Sequence, residues 1–233
     1  KHVQVAYEPD LTIKIENILN AIHDNTRIVV LLNPNNPVGN VYTEEELQQV
    51  IARAKEVGAI VIIDEAYHYF YPNTFIEHAL KDENVVVLRT FSKLFSIAAC
   101  RLGVIISNPE IIHYVKNARL TFDANSIALL FAERILDHPE MVDELIRIER
   151  EGKAYTLEEL QKKGYECRDC RGNFIFVKPH HNAKEIAKRL EEEKQVLVHP
   201  YGNELLKDYL RVSVGSKKAM QIFLDAFFQV DAD

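Results

Sequence analysis

Ile28-Val29-Val30-Leu31-Leu32, then Asn33-Pro34-Asn35-Asn36-Pro37-Val38-Gly39, then Thr43-Glu44-Glu45-Glu46, then Ala59-Ile60-Val61-Ile62-Ile63: this stretch decides the fold. Both aliphatic runs are strand-sized and lack polar alternation, as in strands covered on both faces of a parallel sheet. Between them Thr43 stands three residues before Glu46, the spacing of a capping box. Leu47, Val50, Ile51 and Ala54 follow at helical spacing, and Gly58 falls where a helix C-terminal cap is expected. Strand, loop, helix and strand in this order is the grammar of an α/β domain.

Residues 85–88 and 104–107 read as two further strands. Beyond Pro109 the pattern is helical to about residue 163, with breaks at Asp123-Ala124-Asn125 and Asp137-His138-Pro139. Residues 140–163 read as a long, charged connecting helix. After Gly164, strands are expected over 173–177, 196–199 and 209–214, and helices over 183–193 and 216–229. The expected division is 1–128 for the first domain and 129–233 for a smaller α+β domain.

A chain of 233 residues, 47% hydrophobic and 27% charged, has globular composition and room for one large or two small domains. A net charge of −7 without a Lys/Arg-rich run gives no support to nucleic-acid binding. The apolar runs fall well short of the roughly 20 residues of a membrane span, and the first residues lack a signal-peptide layout. Three cysteines cannot all pair, so a reducing, cytoplasmic setting is expected.

Chemistry-bearing residues cluster at strand ends. Lys93 follows a strand, and a lysine amine can condense with an aldehyde and, once released, move a proton. Taken alone it reads as a surface lysine at a strand end. Asp64 ends the second strand, at the edge where open α/β sheets bind ligands, and can hold the proton on a pyridinium nitrogen. Alone it also reads as an N-cap. Tyr67, three residues on, would share a helical face with Asp64 if the segment turns. Asn36, in a proline-stiffened loop, can donate to a phenolate oxygen. Thr90, Ser92 and Arg101 offer hydroxyls and a planar cation to a phosphate. Arg211 sits in a β-branched strand, where a substrate carboxylate or a structural ion pair would account for its charge. Together these groups supply what a pyridoxal 5'-phosphate (PLP) site needs.

Residues 33–39, Asp64-Glu65-Ala66-Tyr67, residues 90–103, 172–177 and 209–215 resemble the motifs of fold-type I PLP-dependent aminotransferases of class I/II. Among these the chain is most similar to the histidinol-phosphate aminotransferase branch. The resemblance runs from end to end. It implies part of a large domain with a mostly parallel sheet and helices on both faces, plus a small α+β domain. It implies Lys93 as the Schiff-base lysine, Asp64 on the pyridine nitrogen, and Asn36 and Tyr67 on the ring oxygen. Thr90, Ser92 and Arg101 would hold the cofactor phosphate, and Arg211 the substrate carboxylate. The implied reaction is ping-pong amino transfer between an amino donor and a 2-oxo acid, in a cytoplasmic homodimer without metal, nucleic acid or membrane partners.

Ile97-Ala98-Ala99-Cys100 stands where relatives carry Leu-Ala-Gly-Leu. Relatives also have a substantial segment before the position of Lys1, with a phosphate loop and an aromatic that stacks on the cofactor. The chain is therefore expected to be the C-terminal two-thirds of such a protein, with apolar sheet edges exposed, weak PLP binding and little or no turnover by itself. Two competing readings are a PLP-dependent decarboxylase of the threonine-phosphate type and a non-catalytic aminotransferase-like fragment. Cys167-Arg168-Asp169-Cys170 has no second cysteine pair for zinc and reads as a surface turn; His180-His181 reads as a solvated loop.

Overall fold

The computed structural model describes residues 1–121 and 123–232, which form two compact units, 1–139 and 140–233. The first holds a four-stranded sheet in the order β1 (Ile28–Leu32), β2 (Ile60–Asp64), β3 (Val85–Thr90), β4 (Gly103–Ser107). β1, β2 and β3 run parallel and β4 is antiparallel to β3. Its helices are α1 (Ile15–Ala21), α2 (Glu44–Glu56), α3 (Ile76–Lys81), α4 (Pro109–Ala118) and α5 (Ser126–Leu136). The expected α/β fold with a mostly parallel sheet is present. The two units divide at the start of the next helix rather than at residue 128, which lies within α5.

Local chemistry explains these elements. Thr43 and Glu46 form the expected capping box, and Gly58 takes φ +71° after α2. Leu47, Val50, Ile51 and Ala54 on α2 pack with Val61, Ile63, Val85, Val87 and Phe75 into the core of this unit. The strand residues in that core alternate, so 61 and 63 on β2 share one face of the sheet with 85 and 87 on β3. Tyr42 is buried beside Glu46; burial first, and that carboxylate second, push its phenol up to about 12. β1 is an edge strand, and Ile28 and Val30 on it are exposed.

The second unit opens with α6 (Pro139–Lys162) and carries an antiparallel sheet in the order β5 (Glu166–Asp169), β6 (Phe174–Lys178), β8 (Leu210–Ser213), β7 (His199–Pro200). α7 (Ala183–Lys194) and α8 (Lys217–Val230) pack on it around Ile175, Val177, Leu190, Leu210, Phe223 and Phe227. The strand expected over 196–199 is displaced: a two-residue strand forms at His199–Pro200, sharing only His199 with the expected range. Val196 and Val198 pack on the core, but β8 pairs only with His199 and Pro200. The reading of Cys167 to Cys170 as a surface turn is corrected: Cys167 lies within β5, and Cys170 is buried just after it. Burial pushes the Cys170 thiol up to about 12. His181 is tied by Nδ1 to the buried Asp231 carboxylate at 3.1 Å, and His180 stacks on Tyr165. No described helix is long and apolar enough to cross a membrane.

Candidate active site

The carboxyl ends of β1, β2 and β3 gather most of the expected site. Asp64 is the last residue of β2 and lies between Leu32 of β1 and Leu88 of β3. Its side chain accepts from the Ala66 N–H at 2.9 Å, an Asx turn that ends the strand. Asp64 and Tyr67 therefore do not share an α-helical face. The chain leaves β2 through this turn, and a short 3₁₀ helix at His68–Phe70 follows Tyr67. Tyr67 is buried, and the Lys93 amine stands over its ring at 5.3 Å from the centroid.

Lys93 belongs to the turn after β3, where the Ser96 N–H donates to the Lys93 carbonyl. At the base of this turn the Thr90 hydroxyl donates to Ser92 Oγ at 2.9 Å and accepts from the Ser92 N–H at 3.1 Å. Aromatic contacts brace the two loops that carry Tyr67 and Lys93: Tyr69 packs edge-on to Phe95, which packs on Phe91. Arg101 is left-handed at φ +52°, is exposed, and donates to the Ala98 carbonyl at 3.1 Å. It directly precedes Leu102, whose carbonyl accepts from the Phe91 N–H, so the backbone of Arg101 lies beside the Thr90 turn.

Asn36 lies in the loop after β1. Buried Asn33 anchors that loop: its N–H donates to the Asp64 carbonyl at 2.9 Å and its side-chain oxygen accepts from the Tyr42 N–H at 3.0 Å. Arg211 belongs to the second unit, on β8 between Phe176 and His199, with its guanidinium 5.4 Å over the Phe174 ring. Asp64, Tyr67, Thr90, Ser92 and Lys93 are thus collected at one sheet edge, with Arg101 and the Asn36 loop beside it.

Sequence reading assigned no role to Glu65 and Arg89, which form an ion pair at the same edge, with Glu65 buried and Arg89 partly so. The Glu65 carboxylate accepts from the Phe75 N–H at 2.6 Å, the Thr74 hydroxyl at 3.0 Å and Arg89 Nε at 3.0 Å. Arg89 Nη2 lies 2.9 Å from the same carboxylate and donates to the Thr74 hydroxyl at 2.8 Å. His68 stands nearby; its pKa is lowered, first by burial and then by Arg89, against the opposing pull of Glu65 and the Asn73 carbonyl. The available signal was two opposite charges at equivalent ends of adjacent apolar strands.

A carboxylate, a phenol, an amine and two hydroxyls at one carboxyl edge can orient a small ring bearing both a basic nitrogen and an anionic group. That donor set fits the cofactor the motifs imply. Among the described residues no group of His, Cys, Asp or Glu is arranged to hold a metal ion.

Fold and site define an α/β protein whose chemistry-bearing side chains gather at the carboxyl edge of a mostly parallel sheet, the edge where open α/β sheets bind ligands. The chain belongs to the aminotransferase class I and II family, whose model matches residues 1–227. It is 31% identical over 96% of its length to histidinol-phosphate aminotransferase of Thermotoga maritima. To that of Caldanaerobacter subterraneus subsp. tengcongensis it is 32% identical over 98% of its length. The chain spans 63% and 64% of these two relatives. The crystal structure of histidinol-phosphate aminotransferase from Sinorhizobium meliloti in complex with pyridoxal-5'-phosphate superposes with a TM-score of 0.87. It is 25% identical, and the match covers 99% of this chain and 64% of that one.

Proposed function

We propose that the protein is a PLP-dependent aminotransferase that moves an amino group between a donor of the amino acid or amino-alcohol phosphate class and a 2-oxo acid. The observation that carries this reading is the Lys93 amine standing over the Tyr67 ring at the edge where β2 ends in Asp64. When bound, PLP supplies an electron sink that stabilises negative charge at the substrate Cα. In this reading Asp64 holds a proton at the ring nitrogen, and Tyr67 and Asn36 donate to the ring oxygen. Thr90, Ser92 and Arg101 bind the phosphate, and Arg211 binds the substrate carboxylate. Lys93 Nζ would take the proton from the substrate Cα as general base and, once protonated, give it up again as general acid.

The similarity to histidinol-phosphate aminotransferases makes histidinol phosphate the first donor to test, with 2-oxoglutarate as acceptor. Formation of glutamate, abolished in Lys93→Ala, supports the reading. Release of carbon dioxide from threonine phosphate without glutamate formation refutes it in favour of a decarboxylase. The reading extends to a cytoplasmic homodimer. Exposed Leu129, Leu130 and Phe131 on α5 are in keeping with a surface that pairs, and sedimentation at micromolar concentration tests it.

A further inference from the structure

We propose that the Glu65–Arg89 ion pair is a clamp that sets the spacing between Asp64 and the turn carrying Thr90, Ser92 and Lys93. Both residues are positioning residues, and the proposal rests on the PLP reading of that site. Asp64 pairs with Leu88 across β2 and β3, and the Glu65 N–H donates to the Leu88 carbonyl, so Glu65 and Arg89 sit side by side where the ladder ends. On β2 and β3, residues 61, 63, 85 and 87 face the core, and Glu65 and Arg89 continue that alternation. Glu65 accordingly bonds the Phe75 N–H, a core residue. By the same alternation, Asp64 and Thr90 belong to the opposite face of the same two strand ends. A clamp on one face therefore governs the separation of the groups on the other.

The arrangement is more than an isolated pair. Two nitrogens of Arg89, Nε and Nη2, converge on one Glu65 oxygen, and Thr74 bridges the two side chains. The Glu65 side chain has no solvent exposure and that of Arg89 is 19% exposed, so the charges interact with little screening. The Arg89 backbone is held from the other side as well. A Cβ on Gly103 of β4 would come within 2.9 Å of the Arg89 carbonyl oxygen, an approach that only glycine permits.

Two variants, Glu65→Gln and Arg89→Lys, loosen the clamp while keeping side-chain size. Val61→Ala, on the same face but remote from the edge, lowers stability without touching it. Amide hydrogen exchange without cofactor is read at Ala66, which donates to Asp64, and at Ser92, which donates to Thr90. Both clamp variants should exchange about tenfold or more faster at these two amides and should weaken PLP binding by roughly ten- to a hundredfold. Val61→Ala should lower the thermal midpoint and leave both readouts at wild-type values. Loss of thermal stability with unchanged exchange or unchanged PLP affinity overturns the clamp, as does a Val61→Ala variant that reproduces both effects. If wild type binds no PLP, the cofactor reading fails while the two exchange rates still decide the clamp.

Discussion

Replacing Gly152 by Ala sets two effects of opposite sign against each other. Gly152 lies in the interior of α6, where alanine is favoured over glycine by about 1 kcal/mol. Helix propensity alone therefore makes the substitution stabilising. The added Cβ, however, would overlap the Gly215 carbonyl oxygen and come within 3.1 Å of the Gly215 carbonyl carbon and 3.2 Å of that of Ser216. These are backbone atoms of the connection between β8 and α8, where Ser216 caps the helix. They have no rotamer to change, so the helix and the connection must move apart. Overpacking of this kind costs about 1–3 kcal/mol, and a backbone obstacle puts the cost at the upper end. The net expectation is a loss of about 2 kcal/mol. If the second unit unfolds by itself, that is a fall of roughly 8–16 °C in thermal midpoint. Urea unfolding followed by circular dichroism measures it. A midpoint equal to or above wild type would refute the argument, because propensity would then outweigh the contact.

Three further expectations follow from single contacts. Thr43→Ala removes the cap of α2 and should cost about 1 kcal/mol in urea unfolding of the first unit, with Thr43→Ser recovering most of it. Gly103→Val should cost about 1–3 kcal/mol by pushing β4 off the Arg89 carbonyl, seen as faster amide exchange along β4. His78 bonds Glu44 at 2.7 Å and Asp82 at 2.8 Å. Burial of its ring opposes the charge, but those two hydrogen bonds outweigh it, so its folded-state pKa is raised above 6.5. Its contribution is then complete below about pH 6.5 and lost as pH rises through the raised value. The gap in urea midpoint between wild type and His78→Ala should therefore be widest near about pH 5.5 and narrow towards about pH 8. An equal gap at both pH values would contradict the assignment.

Much of this architecture was legible in the chain because the deciding signals are local. Aliphatic runs without alternation marked β1, β2 and β3, and Thr43, Glu46 and Gly58 bounded α2 within a few residues of sequence. The site motifs were legible for the same reason: Asp64, Thr90 and Lys93 each follow a readable strand. What escaped depends on partners distant in sequence. The segment 196–199 is aliphatic enough to read as a strand but meets β8 only at its last residue and the one after it. Cys167 joins a strand because it pairs with Val177 of β6, and nothing around the motif announces that partner. The Glu65–Arg89 pair spans 24 positions and exists only once β2 and β3 are in register. Asp64 turns the chain with its own side chain, a local option that competes with the helix considered for Tyr67.

The central claim is that Lys93 is the residue that joins PLP covalently. The direct measurement is to incubate the protein with PLP, reduce with borohydride, digest, and map the adduct by mass spectrometry. The account predicts one dominant pyridoxyl adduct, on the peptide containing Lys93, and its loss in Lys93→Ala. Adducts scattered over exposed lysines such as Lys188, with none at Lys93, would contradict it.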